Sequence, residues 1–474
     1  MNRNIIGRKL EINRLQKIYE SDKPEFVAIY GRRRVGKTYL VREILENEFV
    51  FDLAGLAKGG LKEQLLNFHL SLKRVTDTEF TLPKSWLEAF EQLITLLQKS
   101  NKKRKVIFID EISWLDTHKS GFLTALEHFW NGWACSKRDI MLIVCGSATS
   151  WIVNNLINNH GGLYNRVTAS IELLPFTLHE TELFLKSKNI NWSHYQIAEV
   201  YMIMGGIPFY LDRLKQGKSV SQNIDNVFFN KNAELKNEFK NLFASLFDHA
   251  ENYEKFVEIL SRNRNGLTRK EILKKTNMKS GNKITTMLNN LEYSGFIRSY
   301  SQPNKKTEII FQLTDSFTLF YFHFMHKNNF RDEKFWTNTL NTPQHNAWAG
   351  LSFEIVSLLH VREVKKSLEV LGVQSAEYAW RSKKNKPAVQ IDLLLDRADN
   401  IINLCEIKYS NLPYLITKEY EEKLREKIEA FRQETLPRKA IHLLMLTTFG
   451  VKQNKYSGIV QNEVTLDDLF SETN

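Results

Sequence analysis

Apolar runs of strand length alternate with helically spaced apolar residues from the start of the chain to about residue 180. The runs "EFVAIY" at 25–30, "KVIFID" at 105–110 and "DIMLIVCG" at 139–146 are almost unbroken by polar residues. Strands read this way when both faces of their sheet are covered, so the alternation predicts a parallel sheet packed between helices over residues 1–175. From "LLPFTLHETELFL" to about residue 250 the spacing is helical throughout, which predicts a helical lid over 176–250. A basic helical segment and a hairpin occupy 251–313. A helical connector beginning at "DSFTLFYFHFM" fills 314–345, and helix and strand patterns mix again over 346–474. The expected class is a multidomain α/β protein without a fixed-period repeat.

Composition narrows the function classes. At 474 residues, 42% hydrophobic and 25% charged, the chain is too long for one ordinary core. Each of about three domains can bury its own. No apolar run approaches the roughly 18 residues of a membrane helix, and "MNRNIIGRKLEINRL" lacks the apolar stretch of a signal peptide, so a cytoplasmic location with no membrane partner is expected. Cys135, Cys145 and Cys405 are too scattered for a disulfide framework or a metal knuckle. The net charge of +12 points to a polyanionic partner, nucleic acid above all, although excess lysine also occurs in ordinary soluble proteins.

"YGRRRVGKTYL" contains Gly31-x-x-x-x-Gly36-Lys37-Thr38 between a strand and a helical run. In that context successive backbone N–H groups and a helix N-terminus cradle phosphates, Gly36 permits close approach, Lys37 supplies charge and Thr38 ligates Mg²⁺. Arg32, Arg33, Arg34 and Val35 complete the loop, and Tyr39 follows in the first helical turn. "KVIFIDEIS" ends on Asp110 and Glu111. Acids there sit beside the phosphate loop, where Asp110 can hold the Mg²⁺ and Glu111 can polarise the attacking water. "IMLIVCGSATS" either brings Ser147 or Thr149 near the γ-phosphate or is a plain buried strand ending in a polar turn. Arg166 in "GGLYNRVT" is either a finger reaching a phosphate across a subunit interface or a solvated surface residue.

Between Arg262 and Arg298 lysines and arginines far outnumber acids. "LTRKEILKKT" reads as one helix, "NMKS" as a turn, and "GNKITTMLNNLEYSGFI" as a second helix with Ile284, Met287, Leu288 and Leu291 on one face. With the strands of "GFIRSYSQPNKKTEIIFQL" this makes a winged helix-turn-helix. It would offer Lys279, Asn282, Lys283 and Thr286 to a DNA groove and "QPNKK" to the backbone, unless it is a packing module with a solvated charged face.

In "VQIDLLLDRADNIINLCEIKYS" a turn near Asp399 would set Asp392 directly across from Glu406, their Cβ atoms roughly 5 Å apart. Such carboxylates are tolerable with a divalent cation between them or with one protonated. Lys408 shares the face of Glu406 and would lower that cost or stabilise charge on a scissile phosphate. Upstream, "AWAGLSFEIVSLLH" reads as a helix with an apolar stripe of Trp348, Leu351, Ile355 and Leu358. Glu354 lies at the border of that stripe, as a snorkelling carboxylate or a further metal ligand. Taken alone, the hairpin also fits two edge strands with charged outer faces.

In order along the chain, "IIGRKLEINRL", "YGRRRVGKTYL", "IFIDEISWLD", "HFWNGW", "CGSATSWI", "GGLYNRVT", "LLPFTLHETELFL" and "GGIPFYL" resemble the archaeal-type ATPase family of P-loop NTPases, related to AAA+ and STAND proteins. The resemblance implies ATP as the nucleotide, Arg166 as the finger, hence a homo-oligomer, and Gly7 and Arg8 near the adenine. "VTAS" follows Arg166 where a sensor element would be clearer. Helix Glu, strand Asp and Glu-x-Lys resemble the PD-(D/E)XK nuclease pattern, in the setting of the C-terminal domain that accompanies many such ATPases. By that pattern Glu354, Asp392, Glu406 and Lys408 form a metal-dependent site, with Gln390 orienting Asp392. The expected protein binds and hydrolyses ATP with Mg²⁺ and acts on DNA, its nucleotide state controlling a winged helix and a restriction-endonuclease-like domain. The alternative is a nucleotide-dependent switch or scaffold that binds DNA or protein and does not cut.

Overall fold

The computed structural model describes residues 5–302, 305–382 and 389–472. Two compact units divide the chain, Met1–Pro175 and Phe176–Asn474. No helix among the described residues is long and apolar enough to cross a membrane.

The first unit is built on five parallel strands: β1 (Glu25–Tyr30), β2 (Phe49–Ala54), β3 (Lys105–Asp110), β4 (Ile140–Gly146) and β5 (Ala169–Glu172). Their order across the sheet is β2-β3-β4-β1-β5. The three apolar runs of the sequence are β1, β3 and β4, and every residue of β4 is buried. Helices cover the sheet because their apolar faces have nowhere else to go. Trp86 and Phe90 of helix Trp86–Lys99 meet Phe122 and Phe129 of helix Phe122–Gly132 over the strands.

The second unit begins with helices whose starts are written in the sequence. Thr177 with Glu180, Ser193 with Gln196 and Ser219 with Gln222 form reciprocal capping boxes, each satisfying backbone N–H groups that the first turn leaves unpaired. A helix pair follows, Arg269–Thr276 and Asn282–Tyr293, with a small antiparallel sheet of order β6-β8-β7: β6 (Leu267–Thr268), β7 (Ile297–Gln302) and β8 (Lys305–Leu313). Ile284, Met287, Leu288 and Leu291 are the buried face of the second helix. The tip of "QPNKK", residues 303 and 304, lies outside the described residues. Phe320, Phe324, Trp336 and Trp348 then pack edge to face with centroids 5.1–5.8 Å apart. Asp225 caps the short helix Phe335–Thr339 through the N–H groups of Trp336 and Thr337 at 2.7 and 3.2 Å.

The last sheet runs β13-β12-β11-β10-β9, with β9 (Ser375–Arg381), β10 (Gln390–Arg397), β11 (Ile401–Lys408), β12 (Ala440–Thr447) and β13 (Asn462–Thr465). β9, β10 and β11 form an antiparallel meander. β11 and β12 are parallel, and between them runs helix Lys418–Thr435, whose Leu424 and Phe431 pack into the sheet's core with Trp380. The helix expected around Trp348 spans Pro343–Leu359, so the anticipated boundary at residue 346 falls inside it. Its stripe is also wider than expected. Ser352, Phe353, Glu354, Ile355 and Val356 are all buried while Leu351 and Leu358 are only half-buried, which moves Glu354 from the border into the interior.

Candidate functional site

In the first unit the chemistry gathers at the C-terminal edge of the parallel sheet, where connections leave neighbouring strands in opposite directions. β4 lies between β1 and β3, with Tyr30 beside Gly146 and Ile109 beside Val144 in register. The loop after β1, the polar end of β4 and the acids ending β3 are therefore adjacent. Gly31 has φ +139°, and a side chain there would run into the Leu173 carbonyl. The loop closes on the N-terminus of helix Lys37–Leu45, whose cap, Gly36, is left-handed at φ 95°.

Lys37 is buried and its ammonium donates to the carbonyls of Gly31 and Arg32, both at 2.9 Å. Burial lowers its pKa from the usual lysine value, against the opposing pull of Cys145, Glu111 and Asp110. The Thr38 hydroxyl donates to Asp110 Oδ2 at 2.7 Å. A hydroxyl and a carboxylate oxygen side by side suit Mg²⁺, which takes few protein ligands and completes its shell with water and phosphate oxygens. Glu111 adopts a left-handed backbone (φ 46°) and its Oε2 accepts from both the N–H and the hydroxyl of Ser147, at 3.1 and 3.0 Å. Ser147 thus orients the acid beside the phosphate loop.

Arg8 is buried and donates to the Val35 carbonyl at 3.3 Å, which sets Gly7 and Arg8 against the phosphate loop. Arg32 and Val35 are buried, Arg33 and Arg34 half-buried, and Tyr39 exposed. Thr149 is buried at the start of helix Thr149–Ile152. Arg166 is exposed in the loop before β5 and makes no ion pair among the described residues.

In the second unit the hairpin register is the expected one. Leu393 faces Cys405 and Leu394 faces Leu404, and the paired ladder stops there, one step short of Asp392 and Glu406. The carboxylates nevertheless go to different partners, and an irregularity in the β9 pairing between Ile391 and Leu394 bends β10 at this point. Asp392 Oδ1 accepts from Gln390 Nε2 at 2.6 Å. Asp392 Oδ2 accepts from Arg264 at 2.9 Å, and the same guanidinium nitrogen bonds Glu354 Oε1. Glu354, 8% exposed, is pushed up to about 8 by burial and by Asp392, against the pull of Arg264.

Glu406 accepts from the Tyr420 hydroxyl at 2.5 Å and from Lys427 at 2.7 Å, and pairs with Lys408 at 3.0 Å. Burial alone would raise its pKa, but Lys427 and Lys408 overcome that and hold it at about 2. Among the described residues no three or more His, Cys, Asp and Glu side chains converge as a metal site. In this arrangement the three acids do not fit a divalent ion, because cations of the chain already occupy their lone pairs. Arg264, Tyr420 and Lys427 were not singled out in the sequence. Lys427 left a signal there, since it interrupts the stripe of Tyr420, Leu424 and Phe431 on one helix face. Arg264 left none, being one basic residue among many.

Lys274, Lys275, Lys279, Asn282, Lys283 and Thr286 are exposed on the helix pair. Lys283 and Thr286 also line a small cavity with Asp248 and His249.

Residues 5–214 match the model of a family described as an ATPase domain predominantly from Archaea. Over 367 residues the chain is 25% identical to an uncharacterised protein of Methanocaldococcus jannaschii, covering 76% of this chain and 78% of that one. An uncharacterised ATP-binding protein of the same organism is 25% identical over 315 residues, 56% of this chain and 84% of its own. Among solved structures, the Walker-type ATPase of Pyrococcus abyssi is similar with a TM-score of 0.48 and 18% identity, covering 67% of this chain and 96% of that one.

Proposed function

We infer that the chain, whose residues 5–214 match the model of an archaeal ATPase-domain family, hydrolyses ATP and acts on DNA, using a winged helix over 251–313 and a PD-(D/E)XK nuclease-like domain over 346–474. The observation that carries the ATPase reading is the edge where Lys37, Thr38, Asp110, Glu111 and Ser147 meet. The N–H groups of the Gly31–Thr38 loop and the Lys37 ammonium bind the β- and γ-phosphates. Thr38 and Asp110 would hold Mg²⁺, which supplies neutralising charge to the phosphates. Glu111 orients the attacking water, and Ser147 orients Glu111. Gly7 and Arg8 border the base, and Arg166, exposed and without an ion pair among the described residues, is the residue that a second copy of the chain would receive as a finger.

Support for DNA as partner comes from the net charge of +12 and from the exposed Lys279, Lys283 and their neighbours on a helix pair flanked by a hairpin. For the last domain, the helix, meander and parallel crossover support the nuclease-like reading, with Arg264 joining Glu354 to Asp392 and Lys408 pairing with Glu406. A second reading, a switch whose nuclease-like domain does not cut, is favoured by one observation: every acid of that group is matched by a cation from the chain itself.

The test is phosphate release from ATP, with plasmid cleavage in Mg²⁺ or Mn²⁺ run in parallel. Lys37→Ala is expected to abolish hydrolysis, and Glu111→Gln to retain bound ATP without turning it over. Hydrolysis by Lys37→Ala at the wild-type rate would refute the ATPase assignment. Cleavage lost only in Asp392→Ala supports the nuclease, whereas no cleavage by either protein with retained DNA binding supports the switch.

A further inference from the structure

Glu111 and Ser147 stand on two short turns that a second pair of side chains also ties together. The first turn follows β3. Glu111 opens it with a left-handed backbone, φ 46° and ψ 47°, and it closes over Ile112–Trp114 with the Trp114 N–H on the Glu111 carbonyl at 3.0 Å and the Leu115 N–H on the Ile112 carbonyl at 3.1 Å. The second turn follows β4, where the Thr149 N–H returns to the Ser147 carbonyl and the Trp151 N–H to the Ala148 carbonyl, both at 3.0 Å. Beyond the bonds between Glu111 and Ser147, the Trp151 indole N–H donates to Asp116 Oδ2 at 3.1 Å. The two turns also share a floor: Ile112, Leu115 and Ile152 are fully buried in one apolar cluster, against which Trp151 packs. Gly146 leaves room for this approach, since a Cβ there would lie 3.2 Å from Ile152 and 3.9 Å from the Glu111 carboxylate.

The other flank of the first turn is held by helix Leu61–Val75, whose fully buried Gln64 donates to the Trp114 carbonyl at 3.0 Å and to the Leu56 carbonyl at 2.8 Å. Beside it the Gly55 N–H meets the Asp110 carbonyl at 2.9 Å, and a Cβ on Gly55 would lie 2.7 Å from the Glu111 carbonyl. A left-handed residue other than glycine persists only where its surroundings over-determine it. Gln64 and Gly55 do so on one side of the turn and Asp116 on the other. Burial raises the Asp116 pKa above the usual carboxylate value, and the indole N–H, its one hydrogen-bond partner among the described residues, pulls it back. For stability alone a half-buried acid on a neutral donor is a poor choice, because an apolar side chain there would carry no desolvation cost. For direction it is a good one. We propose that Asp116 and Trp151 are positioning residues for ATP hydrolysis: their hydrogen bond locks the turn bearing Glu111 to the turn bearing Ser147 and keeps the Glu111 carboxylate aimed at the attacking water. The inference rests on the ATPase reading of this sheet edge. Neither side chain belongs to the phosphate loop or to the Thr38 and Asp110 pair, so both act on turnover through Glu111 and leave nucleotide binding alone.

Steady-state phosphate release from ATP and Mg²⁺ by the full chain tests this, alongside binding of a non-hydrolysable ATP analogue. Trp151→Phe keeps an aromatic ring and drops the N–H, and Asp116→Ala removes the acceptor. Each is expected to lower kcat roughly tenfold while KM for ATP and analogue binding stay within about twofold of wild type. Asp116→Asn, which keeps an oxygen for the indole, is expected to recover most of the lost turnover. The double variant Trp151→Phe/Asp116→Ala should fall no further than either single one, because both remove the same bond. If Asp116→Ala fails to fold, Trp151→Phe set against Asp116→Asn carries the test. Wild-type kcat in Trp151→Phe, no recovery in Asp116→Asn, or losses that multiply in the double variant would overturn the pair and leave the ATPase reading standing. No hydrolysis by wild type, or hydrolysis by Lys37→Ala at the wild-type rate, would overturn that reading and the pair with it.

Discussion

At the scale of single residues, the acid proposed to orient the attacking water is held by a serine one strand away. Ser147 fixes the Glu111 carboxylate with two hydrogen bonds. Ser147→Ala removes one of them and is expected to slow ATP turnover by roughly tenfold to a hundredfold while leaving ATP binding intact. Equal turnover in the two proteins would separate Ser147 from the reaction. A second residue reports on burial alone. Glu199 is raised to about 7 by desolvation. Its native state therefore favours the neutral acid: stability is fully present below the unfolded value of about 4.5 and is lost as pH rises through 7. Glu199→Gln should match wild type in thermal melts near pH 4.5 and exceed it at pH 8 by on the order of 1–2 kcal/mol. An identical difference at both pH values would contradict this.

At the scale of elements, the pattern of the chain was most legible where one rule decides the outcome. Continuous apolar runs marked β1, β3 and β4 because both faces of that sheet are buried. The stripe of Ile284, Met287, Leu288 and Leu291 marked a helix face, and the hairpin register followed from alternation and a turn near Asp399. The pattern failed where two elements compete for one side chain. Helix Pro343–Leu359 is covered on more than one side, so Glu354 lies inside a stripe that spacing alone left it bordering. Which cation meets which acid depends on the turn at Asn263–Gly266 and on helix Lys418–Thr435, and no local spacing encodes that. The turn's own demand is measurable: Gly266→Ala forces a side chain into a left-handed position against Phe311. It should lower stability by about 1–3 kcal/mol in urea denaturation. A neutral substitution would mean that the turn relaxes freely.

At the scale of the whole molecule, residues 5–214, which match an archaeal ATPase-domain family, are followed by basic and acidic elements. Phosphate chemistry was legible in the first unit because the loop, the strand-end acids and the polar end of β4 are each contiguous in sequence and meet at one sheet edge. In the second unit the sequence named Glu354, Asp392, Glu406 and Lys408, and the structure adds the cations that neutralise them. The central claim is that ATP hydrolysis serves action on DNA, and steady-state ATP turnover with and without duplex DNA tests it most directly. Wild type is expected to turn over ATP several-fold faster with DNA at low salt, the gain fading as salt rises and disappearing in Lys279→Glu/Lys283→Glu. Turnover in wild type that is the same with and without DNA across the salt series would contradict the account.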